Sequence, residues 1–116
     1  MKSDALLLND ILDAIRTIRA YLPQDGETFD FNPPLQSHIL RHLMIVGEAS
    51  RRLSQTLKAK WPQIPWKQIE GMRHVLVNDY FRVDWNVVFA TAKKDIPSLE
   101  NQMVTILGSL SATPPA

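Results

Sequence analysis

The sequence predicts an all-α fold, a four-to-five-helix bundle in a single domain. Three observations lead there. Apolar residues recur at helical spacing along most of the chain, no stretch alternates apolar and polar as a half-buried strand would, and Ser, Asn, Asp and Pro stand where helices start or stop. Single domains typically hold about 100–150 residues, so 116 residues with 45% hydrophobic content suffice for one core. The domain is read as 1–111, with 112–116, the end of SATPPA, a disordered tail.

Helix one spans 4 to 22. Leu8, Ile11, Leu12, Ile15, Ile18 and Leu22 form its stripe, Ser3 caps it and Pro23 follows it. PQDGETFDFNPP is dense in Pro, Gly, Asp and Asn and reads as a loop, with Asn32 capping a helix that opens at Pro33 or Pro34. The stripe Leu35, Ile39, His42, Leu43, Val46, Ala49, Leu53 and Leu57 carries this second helix to about Lys60, roughly seven turns. Helix three opens near Pro65 and runs through Ile69, Met72, Leu76 and Tyr80, with Gly71 inside it. Asp84 caps a fourth helix bearing Trp85, Val88, Phe89 and Ala92; Pro97 kinks or restarts it, and Leu99, Met103, Ile106 and Leu110 continue the pattern. Gly47 and Gly71 each cost a helix interior about 1 kcal/mol relative to alanine, which points to close approach of another backbone, within the monomer or from a second chain.

Thirteen basic and twelve acidic side chains leave a net charge of +1, so the total charge gives no sign of nucleic-acid or membrane binding, and any such site must come from local clustering. The absence of cysteine excludes disulfides and thiolate metal sites. MKSDALLLNDILDAI is too acidic and its leucine run too brief for a signal peptide or membrane span, so a soluble cytoplasmic protein is expected.

Three groups of polar residues bear on function. His38 and His42, one turn apart, lack a third ligand at matching spacing, so they read as hydrogen-bonded histidines and no metal site is expected. Arg51 and Arg52, with Lys58 and Lys60, make a basic end on helix two that suits either a phosphate backbone or a solvated face. GMRHVLVNDYF, 71–81, gathers a guanidinium, an imidazole, an amide and a phenol: His74 and Asn78 are four apart, Arg73 precedes them and Tyr80 lies one turn past Leu76. Two readings fit these residues, a reaction site and an ordinary polar helix end in which Arg73 and His74 favour the negative dipole while Asn78 and Asp79 stop the helix.

Over nearly its whole length the chain resembles the HepT-like toxins of the HEPN superfamily of RNA-cleaving helical domains. LNDILDAIRTIRAYL, GEASRRL and PQIPWKQIEGMRHVLVNDYFRVDWNVVFATAKKDIPSL carry the resemblance. The family motif is an arginine followed after four to six residues by a histidine, with a tyrosine two residues later. Arg73 matches the arginine, His74 the polar position after it and Tyr80 the tyrosine, while Asn78 stands where the family has its histidine. The resemblance implies metal-independent RNA cleavage without a cofactor, at a cleft between two copies of the chain. It implies RNA, such as tRNA or mRNA, as a ligand. It also implies an MNT-type nucleotidyltransferase antitoxin as partner, which transfers AMP to Tyr80. Arg73 would bind phosphate, His74 has a suitable titration range, and Asn78 could position a phosphate or water but not move a proton. That departure keeps a second reading open, a non-catalytic helical protein that binds RNA or the same transferase.

Overall fold

The structure, a computed structural model, describes residues 2–77 and 82–111. Helix α1, Asp4–Tyr21, starts where Ser3 Oγ accepts from the Leu6 N–H at 3.2 Å. The segment expected to be a loop contains one short helix, α2, Gly26–Asp30, capped by Asp25. Its single inward residue, Phe29, is fully buried and meets Trp85 and Phe89 with ring centroids 6.2 and 5.3 Å away. One apolar residue in five leaves no periodicity to read.

Helix α3, Pro33–Arg52, opens as expected, with Asn32 Oδ1 accepting from the Leu35 N–H at 3.2 Å and proline in its first turn. It ends earlier than its stripe suggests. Leu53 is extended, and Ser54 starts a separate helix α4, Gln55–Lys60. Ser54 caps α4, its Oγ accepting from the Leu57 N–H at 3.1 Å, and is held in turn by the Asp4 carboxylate, which accepts from the Ser54 N–H at 2.9 Å and from its hydroxyl at 2.6 Å. Leu53 and Leu57 are both buried, so the apolar spacing continues across a break in the backbone.

Helix three is likewise two helices, α5, Trp66–Glu70, and α6, Met72–Leu76, with Gly71 as the joint. The Gly47 and Gly71 expectation resolves within the monomer at Gly47: a Cβ there would stand 3.0 Å from the Ile69 carbonyl oxygen and 3.6 Å from Met72 Cβ. Helix α7, Trp85–Ala90, is capped by Asp84 Oδ1, which accepts from the Val87 N–H at 3.2 Å. A π-helical turn, Thr91–Asp95, then leads into α8, Ile96–Ser111, where the Ile96 N–H reaches the Thr91 carbonyl five residues back. Pro97 lies in the first turn after this widened segment, so the expected irregularity is a π turn just before the proline. The tail 112–116 lies outside the described residues.

Helices α1, α3 and α8 form the frame. Asp4 at the start of α1 meets Ser54 beyond the end of α3, and Tyr21 at its end meets His38 near the start of α3, so α1 and α3 are antiparallel. Arg16 and Arg19, late in α1, pair with Glu100, early in α8, so α8 also runs against α1. Ile11, Ile15, Ile18, Ile39, Leu43, Val46, Ile96, Met103 and Ile106 are fully buried between the three. Each such side chain contributes about 1.5–3 kcal/mol. No helix among the described residues is long and apolar enough to cross a membrane.

Candidate active site

The motif segment is carried by α6. Met72 and Leu76, four apart, both point into the core, which turns Arg73, His74 and Val75 outward. The position of α6 is set at both ends. Its start packs on α3 at Gly47, where a Cβ would stand 3.6 Å from Met72 Cβ and a tight 3.0 Å from the Ile69 carbonyl just before it, and its last carbonyl, that of Leu76, accepts from the Asp84 N–H at 2.9 Å. Val77 and Val83 form an isolated antiparallel bridge beside this bond. The chain on either side of residues 78–81 is thus drawn together at the end of α6. Asn78 and Tyr80, the expected phosphate-positioning residue and AMP acceptor, lie outside the described residues.

Arg73 and His74 project from adjacent positions, about 100° apart around the helix. Both are exposed, and the Arg73 side chain makes no ion pair with a described residue. A guanidinium with no ion-pair partner among the described residues offers two parallel N–H groups to a phosphate, and the His74 imidazole lies one helical step away.

The basic end of α3 is divided. Arg51 and Arg52 are exposed, and both pair with Glu48, at 3.1 and 3.5 Å. Lys58, which the sequence groups with them as a basic end suited to a phosphate backbone or to solvent, is buried instead. Its ammonium donates to Glu70 at 2.7 Å and to the Arg51 carbonyl at 3.2 Å. It therefore presents no charge to a polyanion, and it ties α4 to the residue just before Gly71. Its partner is twelve positions away across two turns, so no local pattern marks the pair. Arg51 lies one turn along α3 from Gly47, at the level where α6 begins.

The His38 and His42 rings lie with centroids 4.5 Å apart at a tilt of 59°, His42 Nδ1 lies 2.8 Å from the His38 carbonyl oxygen, and Tyr21 meets the His38 ring edge-on. No cluster of three metal-binding side chains exists among the described residues. Trp66 is buried, its indole N–H donating to the Trp61 carbonyl at 3.0 Å. On the other flank of α6 a groove of about 640 Å³ separates α5 and α6 from α8, lined by Ile69, Met72, Val75, Ile96, Leu99 and Gln102 among others. Its walls come from separate segments, so the sequence does not signal it.

Comparisons with known proteins agree with this architecture. The family model described as "Ribonuclease HepT-like" matches residues 11–106. A protein of Thermococcus cleftensis named "Probable ribonuclease HepT" is 38% identical over 96 residues, covering 82% of this chain and 87% of the relative. One from Caldanaerobacter subterraneus subsp. tengcongensis, named "Putative RNase", is 40% identical over 81 residues, 70% of this chain and 72% of the relative. A longer protein of Methanocaldococcus jannaschii, named "Gamma-glutamylcyclotransferase and putative RNase", is 35% identical over 112 residues, 95% of this chain. The chain spans 50% of that relative's length. No solved structure gives a significant match. With the family model covering residues 11–106, the chain belongs to the HepT-like ribonuclease family.

Proposed function

We propose that this chain is an RNA endonuclease acting as the toxin of a HEPN/MNT toxin–antitoxin pair, with its site at the cleft of a homodimer. The observation that carries the proposal is the exposed Arg73, without an ion pair to any described residue, on a helix held at both ends, in a chain of the HepT-like family. In the reaction a ribose 2′-oxygen attacks the adjacent phosphorus as the bond to the 5′-oxygen breaks, leaving a cyclic phosphate and a 5′-hydroxyl. The 2′-hydroxyl gives up a proton and the departing 5′-oxygen gains one. Arg73 holds the phosphate oxygens on which charge develops, and His74 is the nearby group able to exchange protons. Asn78 binds phosphate or water but transfers no proton near neutrality. Arg51 and Arg52, shared with Glu48, add a weaker contact to the RNA backbone.

Silencing follows from the same segment. The Tyr80 phenol attacks the α-phosphate of ATP on the nucleotidyltransferase partner and pyrophosphate departs. The added phosphate then repels RNA from the arginine-lined cleft.

The decisive experiment compares cleavage and equilibrium binding of RNA by the unmodified protein, Asn78→His and His74→Ala. A positioned acid–base group is worth about 10²–10⁴-fold, so Asn78→His raises cleavage by that order while binding stays unchanged. If no form binds or cleaves RNA, the ribonuclease proposal fails. Asn78 also supports a second reading, a helical protein that binds RNA or the transferase without cleaving. Binding by all three proteins with no cleavage by Asn78→His would favour it.

A further inference from the structure

We infer that the outer face of α3 is the seam on which a second copy of this chain docks, its α3 antiparallel to the first. The inference rests on the homodimer proposed above and specifies its surface.

Ser37, Leu40, Arg41, Met44, Ile45 and Glu48 line one shallow trough on the side of α3 turned away from α1. The apolar members Leu40, Met44 and Ile45 are half-buried, and Arg41 and Glu48 are exposed. The order of these residues is self-complementary. About a point midway between Met44 and Ile45, Arg41 and Glu48 lie at equal distances on opposite sides, each about 5 Å along the axis at 1.5 Å per residue. A two-fold axis through that point sets Met44 against Ile45 of the partner subunit and Arg41 against Glu48 of the partner subunit, and each contact occurs twice. Symmetric dimers require such a patch, in which residue i meets j and j meets i. Arg41 makes no ion pair with a described residue, and Glu48 keeps a half-exposed carboxylate that already accepts from Arg51 and Arg52. A second copy therefore supplies an acceptor that Arg41 does not find among the described residues.

The same placement brings the motif to the seam. Val75 lines the groove toward α8, and Arg73 does not. Arg73 lies about 200° from Val75 around α6, so it faces the other flank, which borders α3 where Met72 rests on Gly47. An α3 seam consequently carries one Arg73 along each side.

The test exploits the symmetry. Arg41→Glu opposes two carboxylates at both contacts of its own dimer, and Glu48→Arg opposes two guanidinium groups. Each variant alone should lose at least about tenfold in dimer affinity, because juxtaposed like charges are strongly unfavourable at an interface. An equimolar mixture of the two restores an opposite-charge pair at both contacts. Sedimentation equilibrium should therefore give monomers for each variant alone and a one-to-one dimer for the mixture, with far-UV circular dichroism confirming that both fold. Met44→Glu, placing like charges beside the axis, should also be monomeric, which keeps the test sound if Glu48→Arg is poorly folded. A wild type that stays monomeric, an Arg41→Glu dimer as tight as wild type, or folded variants that do not recombine would overturn the inference. RNA cleavage and binding measured on the same samples report on the ribonuclease proposal separately: a dimer that survives Arg41→Glu while RNA is still bound removes only this seam.

Discussion

Replacing Glu70 by glutamine tests whether the joint before the motif helix depends on a buried charge. Lys58 is 6% exposed at its side chain and Glu70 22%, with 2.7 Å between ammonium and carboxylate. Removing one member of a fully buried pair costs about 3–5 kcal/mol, because the remaining charge is left without a counter-ion. Here the ammonium keeps the Arg51 carbonyl at 3.2 Å and the Glu70 side chain is 22% exposed, so we expect a value below that range, about 2–3 kcal/mol. Lys58→Met should cost less, about 1 kcal/mol, since its apolar stem fills the same space and the stranded carboxylate is partly hydrated. The ordering matters as much as the size. Urea unfolding at fixed protein concentration, followed by far-UV circular dichroism, measures both variants and the double mutant. The double mutant should resemble Lys58→Met, leaving a coupling of about 2–3 kcal/mol, the whole cost of Glu70→Gln. If Glu70→Gln changes stability by less than about 0.5 kcal/mol, or if Lys58→Met proves the more damaging, the joint before α6 does not depend on the Lys58–Glu70 pair.

Two further outcomes follow from the site and the caps. Arg73→Ala should weaken RNA binding at low salt by about tenfold or more, since it removes a paired N–H contact to phosphate, and should leave the urea midpoint unchanged because the side chain is exposed; filter binding and unfolding read the two separately. The Asp25 carboxyl is held below its ordinary value of 3.8 chiefly by the Thr28 N–H, with the Thr28 hydroxyl second. A depressed folded-state pKa stabilises above the ordinary value and is lost as pH falls through it and then through the lowered one. The Thr28 amide resonance should therefore keep its capped position at pH 4 and move only below about 3.8, whereas in Asp25→Asn it should not titrate. A Thr28 resonance that titrates with its midpoint at or above the ordinary value of 3.8 would contradict this.

What the sequence reveals here is local. The caps Ser3, Asn32 and Asp84 are legible because each joins a side chain to an N–H three residues on, and the outward turn of Arg73 and His74 follows from the Met72–Leu76 spacing. The break after α3 is masked because the apolar pattern runs unbroken through Leu53 and Leu57, although Ser54 caps α4 there, and the Asp4 carboxylate that holds Ser54 is fifty positions away. Lys58 misleads for the same reason. Its neighbours are Arg51 and Arg52 in the sequence's basic run, but its environment is fixed by Glu70. Gly47 is legible as a point of close approach and not as to what approaches, since the Ile69 carbonyl arrives only once α5 is packed.

The shortness of α6 has a consequence for motion. Five residues make fewer than two turns, and isolated helices shorter than about 12–15 residues are marginal in water. The helical state of Met72–Leu76 is therefore held by contacts from outside the segment: two side chains in the core, the Gly47 seat and the Asp84 bond. Such a segment belongs to the low end of the range of local opening free energies, so its amides should exchange with solvent ahead of those in α1, α3 and α8. A bound RNA or protein can accordingly reshape the region around Arg73 while the three-helix frame stays closed.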